Sequence, residues 1–281
     1  MNPIRRQLCA LLVGLSLPLG SRATPLPLTI GLFPNLSPRN LLARHLPLAR
    51  YLEIQLQRPV QLYTAKNFRA FIENRRRNDF DIVVTAPHLA WLAADENGYQ
   101  PLAQFSGRIR GAVIVAAASR LRTPQQLTGH DIAVPDPLAL VTLLAEQRLK
   151  QAGLARDRDY RFIGRGNHNN AMLAVAQGDF TAAVVSINNL MEFSPALREK
   201  VRVIDATDTA PGIFFMVNPR LPSAHIQAIQ MALLRFGGTL AGQQFVRQMQ
   251  LGDIIPASAQ ALAKMAPYAL QTRRMLRMQP R

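Results

Sequence analysis

Short apolar runs alternate with longer stretches whose apolar positions recur every three to four residues, and this alternation organises most of the chain. Residues 28–33 form a compact apolar strand. Pro34-Asn35-Leu36-Ser37-Pro38 follows, with Ser37 placed to cap a helix and Pro38 as its first residue. Leu41, Leu42, His45, Leu48, Leu52 and Leu56 make one helical stripe, which Pro47 must kink or restart. Residues 59–64 read as a strand, 67–77 as a helix and 81–85 as a third strand. Pro87 then opens a helix through Trp91 and Leu92 that ends near Asn97-Gly98. This β-α-β-α-β-α order marks a parallel sheet with helices on its faces.

A second series begins with a strand at 112–118. Thr123-Pro124-Gln125-Gln126 has the form of a capping box. Strands at 132–134, 160–163 and 182–186 are separated by helices at 138–152, stopped by Gly153, and at 169–177, stopped by Gly178. Two more strands are expected at 201–204 and 213–217. From Ser223 onward the pattern is helical, broken at Gly237-Gly238 and Pro256. Two α/β halves and a helical tail predict two lobes, the second inserted in the first: residues 24–108 with 211–281, and residues 109–210. The chain would cross twice, near 107–111 and 207–212, and a cleft between the lobes would close about that hinge.

The first 23 residues read differently. Arg5-Arg6 precedes an apolar run of 12 residues from Leu8 to Leu19, and Ser21-Arg22-Ala23 offers small residues for cleavage. That is an export signal too short to span a bilayer, and the paired arginines leave a twin-arginine route open beside the ordinary one. The expected location is the periplasm. The single cysteine, Cys9, lies inside this run, so the mature chain has neither a disulfide framework nor a cysteine-ligated cluster.

Composition narrows the partner. Of 281 residues, 33 are Lys or Arg against 17 Asp or Glu, a net charge of +16 that favours an anionic partner. Nucleic acid is not expected, because basic and aromatic residues do not interleave. The main basic run, Arg75-Arg76-Arg77, ends a helix and reads as a solvated face. The five histidines at 45, 88, 130, 168 and 225 include no pair at helical ligand spacing, so no metal is expected. Nucleophile elbow, phosphate-cradling glycine loop and paired carboxylates are all lacking, so no enzyme activity and no cofactor are expected.

Several segments resemble one family. They are Ile30-Gly31-Leu32-Phe33-Pro34, Leu46-Pro47-Leu48-Ala49-Arg50-Tyr51-Leu52-Glu53, Asp81-Ile82-Val83-Val84-Thr85-Ala86-Pro87, Gly166-Asn167-His168, Ala174-Val175-Ala176-Gln177-Gly178-Asp179 and Pro211-Gly212. In order and spacing the chain, from about 28 to 276, resembles periplasmic solute-binding proteins of phosphate, phosphite and phosphonate ABC transporters. The resemblance implies a type II periplasmic-binding-protein fold and a small anionic ligand held between the lobes. Two departures stand out. The family's Ser/Thr-rich anion turn is here Val134-Pro135-Asp136-Pro137-Leu138-Ala139, with a carboxylate in place of hydroxyls. Its Gly before Pro87 and its Tyr shortly after are Ala86 and Ala90-Trp91.

Candidate ligand residues follow from strand ends and helix starts, where free amides and the helix dipole favour anions. Pro34, Asn35 and Ser37 follow the first strand; Thr64, Lys66 and Asn67 follow the second; Thr85, Pro87 and His88 follow the third. In the second half, Asp136 and Leu138 sit in the altered turn, where Asp136 either caps the next helix or meets a cationic ligand group. His168 and Asn169 lie at another helix start, and the family match of His168 implies a ligand role. The expected protein is a monomer that captures a small polar, anionic solute for an ABC transporter permease. A sensor signalling to a membrane kinase is the alternative, and an unrecognised enzyme the third class.

Overall fold

The computed structural model describes residues 26–278, so the export-signal reading of residues 1–23 lies outside the described residues. Strands β1 (Leu28–Leu32), β2 (Val60–Tyr63) and β3 (Ile82–Thr85) pair in parallel in the order β2-β1-β3. Helices α1 (Pro38–Leu56), α2 (Phe68–Arg76) and α3 (Pro87–Asn97) connect and cover them. Pro47 lies inside α1, which runs through it as one helix rather than restarting. Three antiparallel strands complete this sheet. β4 (Gln100–Phe105) and β11 (Ile254–Pro256) have no apolar alternation that marks them, while β10 (Phe214–Val217) falls where expected. The completed sheet runs β11-β4-β10-β3-β1-β2.

The second sheet repeats the plan. β6 (His130–Val134), β7 (Tyr160–Gly164) and β8 (Ala182–Ser186) are parallel, and β5 (Arg108–Ala116) joins them antiparallel, with β9 (Val201–Pro211) at its edge. Helices α4 (Leu140–Gln151), α5 (His168–Ala176), α6 (Ile187–Glu192) and α7 (Pro195–Arg198) follow in this half, and Thr123 heads its capping box on a single 3-10 turn, Pro124–Leu127. The tail supplies α8 (Ser223–Phe236), α9 (Leu240–Met249), α10 (Ala259–Ala263) and α11 (Ala266–Met278). All five strands of the second sheet fall between two stretches of the first, which makes a two-lobed α/β fold with one lobe inserted in the other.

The crossings fall where expected, near 107–111 and 207–212, and are made by strands. β5 starts at Arg108 and β9 reaches Pro211, so the strands themselves cross, paired Arg108 to Pro211. A third segment braces them: Gly107 N–H donates to Leu251 O (2.6 Å) and Ser106 N–H to Asp253 O (2.8 Å). The glycines serve close approach here. A Cβ on Gly107 would lie 2.4 Å from Leu251 O, and one on Gly212 2.4 Å from Phe105 O.

The lobes meet across the cleft. The apolar core around β1 and β3 continues into Leu138, Leu140, Val141 and Leu144 of the inserted lobe. Tyr268 Oη donates to Gln147 Oε1 (2.5 Å) and Gln271 Nε2 to Glu146 Oε2 (3.3 Å), so the described state is closed. The Arg75-Arg76-Arg77 run is also not a uniform solvated face. Arg75 is 2% exposed and, with Arg76, pairs with Glu96 of α3. Burial raises the Glu96 carboxyl, but hydrogen bonds from Arg76 and Arg75 outweigh it and bring it down to about 2.

Candidate functional site

A cavity of about 50 Å³ lies between the two sheets, where the parallel strands of each end at their carboxyl edges. One water needs roughly 10–15 Å³ measured this way, so the space suits a few heavy atoms. The first lobe contributes Phe33 and Asn35 after β1, Arg44 on α1, Phe68 at the start of α2 and Ala86 before α3. The inserted lobe contributes Ala139, Leu140 and Val141 at the start of α4, His168 at the start of α5, and Ser186, Asn188, Asn189 and Glu192 around α6.

Helix starts therefore converge on the cavity, and they are finished in two ways. Asn67 and Asn167 cap α2 and α5, accepting from Ala70 N–H (2.8 Å) and Asn170 N–H (3.0 Å). α3 and α4 have Ala86 and Ala139 at the capping position, with no side-chain bond, and Ser37 before α1 makes none either. The first N–H groups of a helix have no intrahelical acceptor. With alanine at the cap of α4, the Leu140 and Val141 amides keep their donor capacity at the positive end of the dipole, whereas Pro87 brings no N–H to the start of α3 and Thr142 N–H bonds Ala139 O (3.0 Å).

His168 adds a donor of fixed orientation. Its Nδ1 accepts from Ser186 N–H (3.1 Å), so in the neutral ring the proton sits on Nε2. Burial pushes its pKa down to about 3, so the ring stays neutral at ordinary pH. Arg44 and Glu192 form a bidentate pair across the cleft (2.9 and 2.8 Å), each 19% exposed, which neutralises the cation on the cavity wall. The cavity thus offers amides and a neutral imidazole N–H to an acceptor, beside an apolar wall of Phe33, Phe68, Ile109, Ile213 and Met249.

The sequence profile of a family described as "ABC transporter, phosphonate, periplasmic substrate-binding protein" matches residues 30–262. The chain belongs to this family. Its members are binding proteins rather than enzymes, and the family is periplasmic. Solved structures agree on the fold. A binding protein component of an ABC phosphonate transporter from Pseudomonas aeruginosa superposes with a TM-score of 0.80 at 15% identity, covering 88% of this chain and 87% of the other. PhnD1 from Prochlorococcus marinus, in complex with methylphosphonate, gives 0.80 at 15% identity over 88% and 98%. The alkanesulfonate-binding protein SsuA from Xanthomonas axonopodis pv. citri, bound to MOPS, gives 0.59 at 20% identity over 92% and 96%.

Within this phosphonate-binding fold, Asn35 and His168 are the sequence-derived candidates on the cavity wall, joined by His168 N–H to Asn35 O at 3.5 Å. The others frame it. Pro34 is buried behind Asn35, and Ser37 is half-buried. Thr64 Oγ1 donates to Leu32 O (2.9 Å), tying the β2 turn to β1, and Lys66 is exposed. Thr85, Pro87 and His88 are buried at the β3–α3 junction. His88 Nε2–H donates to Leu138 O (3.0 Å) across the cleft, and burial holds the ring at about 4. Asp136 lies off the cavity wall: its carboxylate accepts from Leu138 N–H (2.8 Å) and from Phe68 N–H at the start of α2. Burial raises its pKa, opposed by those two amides and by Arg69. Asn169 is half-buried beside His168, and Trp91 packs against the core under Arg273, 5.8 Å from the ring centre.

Sequence reasoning missed Ser186, Asn188 and Asn189, although the strand-end rule applied to β1–β3 would have found them had a helix been read after residue 186. Arg44 and Glu192 carry no such signal, since 148 positions separate them.

Proposed function

We propose that this protein captures a small oxyanion bearing a short organic group, of the phosphonate class, and presents it to an ABC transporter permease as a closed monomer. Residues 24–108 with 211–281 act as one lobe and 109–210 as the other. The oxyanion takes its hydrogen bonds from His168 Nε2–H and the Asn35 amide, with the amides at the start of α4 adding to them. The candidates at Pro34, Ser37, Thr64, Lys66, Asn67, Thr85, Pro87, His88, Asp136, Leu138 and Asn169 hold those helix starts in place around the ligand. The organic group lies against Phe33 and Phe68.

The observation that carries this reading is the pairing of a fixed, neutral imidazole donor with the alanine-capped start of α4 on one small interlobe cavity. Neutral donors suit an anion that must be released again, because they bind without a full opposing charge. Ligand contacts from both lobes exist only when the cleft is shut, so binding shifts the open–closed balance. Surplus positive charge raises the encounter rate in a salt-dependent way.

Thermal denaturation with methylphosphonate, phosphite, phosphate, methanesulfonate and ethanolamine tests the assignment. Methylphosphonate at a hundredfold excess over its Kd is expected to stabilise the fold by about 2.7 kcal/mol, and ethanolamine not at all. Stabilisation by the amine alone, or by none of the five, overturns it.

A further inference from the structure

Behind the ligand cavity lies a second, smaller chamber of about 10 Å³, bounded by Leu32, Phe33, Asn35, Leu41, His45 and Met249 among others. Phe33, Asn35, Arg44 and Met249 line both spaces, so they share one wall. Two buried polar atoms of that lining, Asn35 Oδ1 and His45 Nε2, have no hydrogen-bond partner in the protein. A buried polar group without a partner costs free energy, and here two such groups border one chamber.

The chemistry of the two atoms fixes what can satisfy them. His45 Nδ1 lies 2.9 Å from Leu41 O, and a carbonyl only accepts, so Nδ1 carries the proton. Nε2 of the neutral ring is then a bare lone pair. His45 is 2% exposed, and burial holds its pKa down to about 4, which keeps that lone pair free. Asn35 Oδ1 is an acceptor as well. Neither can bond the other, and an anion would be repelled by both. The chamber requires a neutral group with two hydrogens to give, and its volume matches one water molecule.

We propose that a single ordered water occupies this chamber, donates to both Asn35 Oδ1 and His45 Nε2, and thereby turns the Asn35 amide so that its NH2 faces the ligand cavity. His45, outside the ligand cavity, is then a positioning residue for ligand binding. It acts through the water on Asn35, whose NH2 becomes a donor to an oxyanion. The effect on affinity rests on the oxyanion reading above; the presence of the water does not. The same arrangement gives orientation: the oxyanion end of a ligand stays out of the rear chamber and meets His168 and the helix starts instead.

A crystal structure of the wild-type protein at about 1.2 Å, where ordered water and the amide orientation can be assigned, tests the water directly. One density peak within hydrogen-bond distance of both atoms is expected, and a chamber filled by a side chain or holding no ordered peak overturns the inference. Calorimetry with methylphosphonate tests its consequence. His45→Phe is expected to weaken binding about tenfold, and His45→Gln, which keeps a donor for Leu41 O and an acceptor for the water, to restore most of that loss. Equal weakening by both variants, with the water present, leaves His45 as packing alone and removes the positioning role. If wild-type protein shows the water but does not bind methylphosphonate, the oxyanion reading fails while the water stands.

Discussion

The two lobes meet the cavity with matched geometry and different chemistry. Asn67 and Asn167 stand at the same point of the fold, after the second of the three parallel strands in each lobe (β2 and β7), with nearly identical backbone angles (φ −160°, ψ 174° and φ −159°, ψ 172°). Each caps its helix through the same side-chain bond. The next residue, however, is Phe68 in the first lobe and His168 in the second, and both line the cavity. Phe68 packs on Phe33, and His168 accepts from Ser186 N–H; Ala86 and Met249 on one side and Asn188 and Asn189 on the other line the same cavity. Local capping builds an equivalent platform twice, and the side chain that follows each cap decides whether that platform offers apolar surface or a proton donor. Closure then gives a ligand both at once.

Acidification breaks the arrangement most severely. His45 and His88 in the first lobe are held at about 4, and His168 in the second at about 3, all chiefly by burial. The unfolded chain takes up protons near 6.5, while the folded one refuses them until pH falls to these lower values. Their contribution is complete above pH 6.5 and declines as pH falls towards 4, by roughly 1.4 kcal/mol per unit for each ring. Melting temperature is expected to be flat above pH 7 and to drop steeply between 6.5 and 4. A flat profile to pH 4 contradicts the buried, neutral histidines.

The next effect belongs to the apolar platform. Phe68 is 1% exposed and packs edge-on against Phe33, with ring centres 6.0 Å apart. Phe68→Ala should cost about 3–5 kcal/mol in urea unfolding, by lost burial and the cavity left behind. A loss under 1 kcal/mol means the site collapses more freely than its packing suggests.

Making the second platform like the first isolates the donor. His168→Phe removes the imidazole N–H and strands Ser186 N–H. Methylphosphonate affinity should fall about 10- to 100-fold, as for a hydrogen bond to a charged group. The same variant should shallow the acid transition, since one of the three rings no longer titrates. Unchanged affinity shows that the lobes do not divide the work as described.

The smallest change acts on the uncapped helix. Ala139→Ser supplies a side-chain oxygen for the first amides of α4, and should raise stability by about 1 kcal/mol while weakening methylphosphonate binding. If affinity is unaffected, those amides are not donors to the ligand.

Much of this frame is legible in the residues. The first three strands, the Ser37-Pro38 and Ala86-Pro87 helix starts, and the inserted order of the lobes follow from apolar periodicity and from proline and glycine placement. β4 and β11 escaped because each is held by pairing with a strand distant in sequence: β11 sits on β4 some 150 positions away, Ile254 facing Phe105. For the site, the strand-end rule led to Asn35 and His168, both on the cavity wall. The same rule led to Asp136, whose carboxylate the fold uses on the amides of Leu138 and Phe68.

By itself the sequence determined which segments are strands and helices over most of the chain, and that their alternation repeats, because side-chain period and backbone punctuation are local properties. It determined that His168 stands where a strand gives way to a helix. Only the tertiary structure decided that His168 is neutral with its proton on Nε2, since that state depends on burial and on Ser186 N–H from another strand. Only the fold decided that Arg44 faces Glu192 and that Asn35 Oδ1 and His45 Nε2 border one chamber. Charge state and hydrogen-bond demand are set by what surrounds a group, and in a two-lobed protein much of that comes from the far side of a closing cleft.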